Sequence, residues 1–372
     1  MKTVRRLLHA DVVASVGFVT VAFLALFFFL DFVEELRKIG RGSYSLIDAL
    51  MSCLLEIPGH LYELAPIAVL IGSIYALSRM AQSSEFTILR TSGLGPGRAL
   101  VMLGQVGLAF TLITFIVGDV LAPIAERQGA QLEATQVGGY GLGRTGAWLK
   151  ERRATPQGEV SVSINVGAAT GDGRLHAIRI FEFDAAGRLV RRIGAQTAQV
   201  GAGGQWDLQG VELVEWPTGS APPGGEVRVQ RRVEPQMVWQ TSLQAGVVAA
   251  AVMPQNTMNT LELFRYIGHL SRNEQAAQSY EIAFWRRALY PFACLVMVAL
   301  ALPFAYLQAR SGGTSLKVFG GIMLGISFVL LNNVAAHLGL LRNWTPWIVA
   351  STPSLLYLAL SLIAFTWLVR FR

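Results

Sequence analysis

A chain of 372 residues that is 52% hydrophobic and only 15% charged, with a mean hydropathy of +0.45, is too apolar for an ordinary soluble domain. Its formal net charge of +7 does not suggest nucleic acid, because the arginines form no stripe with interleaved aromatics and the basic surplus gathers at the ends of apolar runs. The two cysteines, Cys53 and Cys294, lie in or beside apolar segments without metal-ligand spacing, so neither a disulfide framework nor a metal centre is implied.

A helix needs roughly 20 predominantly apolar residues to cross the hydrocarbon core. Val12 to Leu30 meets this without a charge. The run is too long for a cleaved signal, and Asp31-Phe32 follows it where a small-residue cleavage site would stand, so it reads as a retained helix. Next comes Asp31-Phe32-Val33-Glu34-Glu35-Leu36-Arg37-Lys38-Ile39-Gly40-Arg41-Gly42-Ser43-Tyr44. If the helix continues, Arg37 and Lys38 stand just above the membrane. Two cations there either hold anionic headgroups or phosphorylated sugars by charge-assisted hydrogen bonds, or pair with Glu34 and Glu35 at helical spacing. Ser45 before Leu46-Ile47-Asp48 is a cap-like start to a short interfacial helix, expected to stop before Pro58.

The second span covers Leu64 to Leu77 and reaches full length if Leu61 and Met80 are included. In the loop 79–98, Ser83 or Ser84 caps a short helix with Glu85 in its first turn. Phe86, Leu89 and Arg90 then share a face, and Gly93 terminates it. Such a helix is either an interfacial element on lipid headgroups or a coupling helix for a cytoplasmic motor subunit. Ala99 to Pro123 is the third span, with Asp119 near its end as a proton relay or a solvated end residue.

Residues 127–258 change character. Val160-Ser161-Val162-Ser163-Ile164-Asn165-Val166 and Ile178-Arg179-Ile180-Phe181-Glu182-Phe183 alternate with period two, and Asp184-Ala185-Ala186-Gly187 supplies a turn. Short alternating strands with Gly-rich turns predict an all-β sandwich or jelly roll. Asn259 with Glu262 then opens a helix towards Leu270, and spans four to six follow at Ala288–Leu307, Val318–Leu341 and Trp347–Val369. Gly321 and Gly325, one turn apart, suit close helix approach in the fifth span. His337 lies within that span, with Asn332 and Asn333 a turn away, and is expected to make interhelical hydrogen bonds. The predicted fold is therefore a membrane α-helical protein of six spans, three on each side of an inserted, jellyroll-like all-β domain. Its parts are 1–126, 127–258 and 259–372.

Lys2, Arg5, Arg6, Arg79, Arg90, Arg98, Arg310, Lys317, Arg370 and Arg372 fall on one side of the membrane under this topology, which makes that side cytoplasmic. Both termini then lie in the cytoplasm, and the β domain faces the exterior or periplasm. No Gly-Lys dipeptide, His-Glu-x-x-His or Gly-x-Ser-x-Gly pattern occurs, so no nucleotide, zinc or nucleophile chemistry is expected of the chain, and no cofactor.

Several stretches resemble the lipopolysaccharide-export permeases of the LptF/LptG family, most closely the LptG type. They are D-F-V-E-E-L-R-K-I-G-R-G-S-Y at 31–44, P-I-A-V-L-I-G-S at 66–73, M-A-Q-S-S-E-F-T-I-L-R-T-S-G at 80–93, Y-E-I-A-F-W-R-R at 280–287 and P-W-I-V-A-S-T-P-S at 346–354. The resemblance implies a non-catalytic permease subunit in a Gram-negative inner membrane, with a periplasmic β-jellyroll. Its implied partners are an LptF-like permease, an LptB-like ATPase dimer that uses the ATP, an LptC-like single-span protein, and lipopolysaccharide. It also implies that Ser84, Glu85, Phe86, Leu89, Arg90 and Gly93 belong to the ATPase-coupling helix. Arg37 and Lys38 would lie near lipid phosphates, and spans one and five would line lateral gates. Asp31 stands where some relatives carry lysine, and Ala130 and Glu133 stand where some carry arginine. The alternatives are the LptF-type half of the same permease and a membrane-anchored scaffold for envelope proteins.

Overall fold

The computed structural model describes residues 2–40, 43–83, 85, 88, 91, 95–133, 146–155, 158–169, 174–201, 204–217, 229–243, 248, 255–272, 277–306 and 314–370. The chain forms two compact units. One comprises Met1–Arg37, Cys53–Glu126 and Gln278–Arg372; the other comprises Lys38–Ser52 and Arg127–Ala277.

The first unit is helical, and among the described residues six helical stretches are long and apolar enough to cross a membrane. α1 covers Lys2–Glu35 and ends in a 3-10 turn at Leu36–Lys38. α2 covers Leu46–Gln82 without a break. Its start is a reciprocal cap: Ser45 N donates to Asp48 Oδ2 (2.8 Å) and Asp48 N to Ser45 Oγ (3.4 Å). The expected stop before Pro58 is not observed. Pro58 and Pro66 both lie inside α2. Each proline removes one backbone bond, a loss of about 3 kcal/mol in an exposed helix. The turns around Pro58 are only partly buried, but from Pro66 to Ile74 every residue of α2 is buried, and packing of those later turns in the bundle offsets the loss. At 37 residues it is about 55 Å long, well beyond the roughly 30 Å hydrocarbon core.

α3 (Pro96–Ile116) begins at an extended Gly95 with proline in its first turn, then passes through a π-helical turn at Val117–Leu121 into α4 (Ala122–Glu133). After the inserted domain come α6 (Gln278–Leu289), a 3-10 turn at Tyr290–Phe292, α7 (Ala293–Tyr306), α8 (Thr314–Arg342) and α9 (Pro346–Arg370). The core of this unit includes Leu8, Val12 and Val16 of α1, Leu70, Ile74 and Leu77 of α2, Leu103 of α3, Met297 of α7, Phe328 of α8 and Tyr357 of α9. Gly321 and Gly325 do seat a neighbouring helix. A Cβ on Gly321 would come within 2.7 Å of Ile74 Cδ1, and one on Gly325 within 2.8 Å of Ile67 Cγ2. Cys53 and Cys294 are both buried, as free thiols.

Among its described residues the second unit contains six strands: β1 (Ala147–Thr155), β2 (Gly158–Ala169), β3 (Arg174–Phe183), β4 (Leu189–Val200), β5 (Gln205–Glu215) and β6 (Gln230–Gln240). They form one antiparallel sheet in sequence order. Alternation drives it: Val162, Ile164 and Val166 of β2 and Ile178 and Ile180 of β3 point into the core with Leu149, Ile193, Leu208, Val211 and Trp206. The turn at Asp184–Arg188 is fixed by Asp184, whose Oδ1 accepts from Ala186 N (3.0 Å) and Arg188 N (2.9 Å). β1 and β6 share no ladder, yet side chains join them. Glu151 of β1 accepts from Thr241 Oγ1 and Ser242 N, each at 2.7 Å. Arg153 of β1 lies 4.6 Å over the Trp239 ring of β6. The sheet is thus curled until its two edges meet through side chains. α5 (Thr260–Arg272) follows with the predicted cap, Glu262 N donating to Asn259 Oδ1 (2.8 Å) and Asn259 N to Glu262 Oε2 (3.0 Å).

Candidate functional site

Three regions matter: the segment between spans two and three, the C-terminal end of span one, and polar groups inside the bundle. In the loop, α2 closes with Ser83 N donating to Arg79 O (3.0 Å). Glu85, Ile88 and Thr91 are helical and exposed, with Ile88 62% accessible. Their spacing of three puts an acid, an apolar knob and a hydroxyl along one outward face. Ser84, Phe86, Leu89, Arg90 and Gly93 lie outside the described residues.

At the C-terminal end of span one, Arg37 is exposed and Lys38 half-buried. Glu34 faces outward, whereas Glu35 is turned in at 5% exposure. Asp31, which the sequence singled out only as an unexpected acid, has its Oδ2 2.7 Å from His60 Nε2 on α2.

Inside the bundle the structure brings together residues that sequence reasoning had not joined. The π-helical turn interrupts the regular bonding ladder of the third span, and Gly118 O in it accepts twice from Arg287, at 3.2 Å from Nε and 2.7 Å from Nη2. Gly118 must lack a side chain, since a Cβ would lie 2.2 Å from the Tyr62 ring. That ring packs on Tyr290 (centroids 5.1 Å apart), whose hydroxyl donates to Glu63 O at 2.6 Å. The available signal was the Gly118-Asp119 pair in an otherwise apolar run and the Arg286-Arg287 pair opening span four. His337 does not bridge helices as expected. Its Nδ1 pairs with Asn333 O of its own helix (2.8 Å), while Asn333 Oδ1 accepts from Arg286 Nη2 of α6 (3.3 Å). The ring reaches back one turn to the i−4 carbonyl of its own helix.

In the β unit, burial alone would raise the Glu151 carboxyl, but its bonds from Arg153, Ser242 and Thr241 outweigh that and hold it below the usual carboxylate range. His269 of α5 is shifted down by burial and by Arg272, against a smaller upward pull from Glu151.

The bundle also carries an apolar cleft of about 540 Å³ between α3, α7 and α9, lined by Leu103, Gly104, Leu295, Ala299, Ser351 and Leu355 among others. It offers nothing to bind a phosphate.

A family model described as lipopolysaccharide export system permease LptF/LptG matches residues 6–367. Among similar proteins is the lipopolysaccharide export system permease protein LptG of Escherichia coli K12. It is 27% identical over 341 residues, covering 90% of this chain and 89% of that one. The protein of the same name from Haemophilus influenzae is 23% identical over 363 residues, 97% of each chain.

Proposed function

Because the chain belongs to the LptF/LptG family of lipopolysaccharide export permeases, we propose that it is the LptG-type half of a two-permease pore, driven by ATP hydrolysis in a separate cytoplasmic dimer. It is an inner-membrane protein of six candidate spans. The observation that carries the half-pore reading is uneven burial. The apolar windows of spans one and five are only 17% and 22% buried, against 78% for span two. Spans one and five are the faces that an LptF-like partner and the lipid would cover, forming the lateral gates.

In this reading the termini are cytoplasmic and the β unit periplasmic. Lipopolysaccharide enters from the outer leaflet, with Arg37 and Lys38 holding its phosphates by charge-assisted bonds. An LptB-like dimer pushes the segment around Glu85 and Arg90. The bundles close by rigid-body motion, and the lipid leaves through the periplasmic domains, with an LptC-like protein next in line. No covalent step is required of this chain and no cofactor of its own.

The direct test is co-purification in mild detergent. Glu85→Ala with Arg90→Ala should abolish ATPase association while membrane insertion and the permease pair persist. An intact four-part complex from that double variant would refute the coupling role.

A further inference from the structure

The first span is attached unevenly. Its inner half is packed, with Leu8, Val12 and Val16 buried. From Gly17 to Leu30 no residue of α1 is buried, and Phe18, Val21 and Phe29 are 75%, 66% and 62% exposed. Side chains near its end meet α2. The Phe27 ring sits 5.0 Å from the His60 ring, and Asp31 Oδ2 lies 2.7 Å from His60 Nε2. Glu56, one turn before His60, puts Oε2 4.0 Å from the same nitrogen. One ligand atom from each of Asp31, Glu56 and His60 falls within 4.8 Å of the others.

A plain Asp–His hydrogen bond accounts for two of these groups, and Glu56 brings a second carboxylate towards the same nitrogen. Glu56 and His60 stand four apart and so share a helix face, while Asp31 arrives from the neighbouring helix. An imidazole nitrogen with two carboxylate oxygens is a donor set that suits zinc and similar divalent metals. With bonds of about 2.0–2.2 Å, tetrahedral ligand atoms lie roughly 3.4 Å apart. The 2.7 Å contact would widen and the 4.0 Å one close, each by less than 1 Å. Glu56 is 47% exposed, which leaves room for that shift, and the partial exposure of Asp31 (18%) and His60 (22%) leaves a position for water.

We propose that Asp31, Glu56 and His60 form a binding site for a divalent metal ion of the zinc class, which clamps the outer half of the first span to the second. The site stands independently of the transport reading, because metal binding is measured without lipid or ATPase.

The test titrates the full-length chain, purified in detergent without a histidine tag and stripped with chelator, with zinc chloride against a chromogenic competitor. Wild type should bind zinc and melt at a higher temperature with it. His60→Gln and Asp31→Asn should each lose at least about tenfold in affinity, together with the visible d–d absorption of the cobalt-substituted site. His337→Ala should bind as wild type. If Asp31→Asn or His60→Gln misfolds, Glu56→Gln, at the most exposed of the three side chains, decides the matter by losing affinity in a folded protein. Zinc affinity unchanged in Glu56→Gln, or no binding by wild type beyond that of His60→Gln, would overturn the site.

Discussion

Arg287 shows how single residues set this bundle. Its guanidinium lies at the start of the fourth span and donates twice to a carbonyl that the π-helical turn leaves without its usual partner. Removing it strands a buried acceptor, which in a membrane bundle costs about 1–2 kcal/mol. Arg287→Ala should therefore lower the thermal midpoint of the detergent-solubilised protein by several degrees. Arg287→Lys, which supplies one donor in place of the planar pair, should recover part of the loss. An unchanged midpoint for the alanine variant would show that water or another group satisfies Gly118. At this scale the sequence was legible where the chemistry is local. Ser45 with Asp48 and Asn259 with Glu262 are caps readable from spacing alone, and both are present. Asp31 with His60, and Gly118 with Arg287, are separated by 29 and 169 positions. No local rule joins them.

Elements follow the same division. Period-two alternation located strands β2 and β3, and long apolar runs located the spans. The Pro58 boundary failed because local helix rules cannot register the packing of the turns from Pro66 to Ile74, into which α2 continues. In β3 a single residue changes the phase. Ala177 has φ of 51° and takes no part in either ladder, so the inward set passes from Leu175 to Ile178 and Ile180. Strand order was equally invisible, since it depends on which edges meet.

The seam between β1 and β6 yields a pH prediction. Glu151 is held below its ordinary value of 4.5 by three hydrogen bonds. A carboxyl depressed on folding contributes stability that is fully present above the unfolded value and is lost as pH falls through the folded one. The β unit should therefore weaken as pH drops below about 4.5. Glu151→Gln should weaken it at neutral pH and flatten the acid dependence. Hydrogen exchange of β1 and β6 amides, compared between wild type and variant at each pH, reads both effects. Identical protection at neutral pH would remove Glu151 from the seam.

For the whole molecule, composition and the placement of apolar runs were enough to give two helical thirds around a strand-rich insertion. The motifs that carried the family resemblance lie in the two helical parts, and the family match over residues 6–367 takes in the insertion as well. Less legible was which faces remain uncovered, because burial is a property of packed helices. Spans one and five are the barest, and between them and a partner the account places a path for lipid past Arg37 and Lys38. A photoreactive residue at position 37 or 38, in cells with the complete exporter, tests that path most directly. The account predicts crosslinks to lipopolysaccharide that change when the partner ATPase is inactivated. Crosslinks to phospholipid alone, or lipopolysaccharide crosslinks indifferent to ATP hydrolysis, would contradict it.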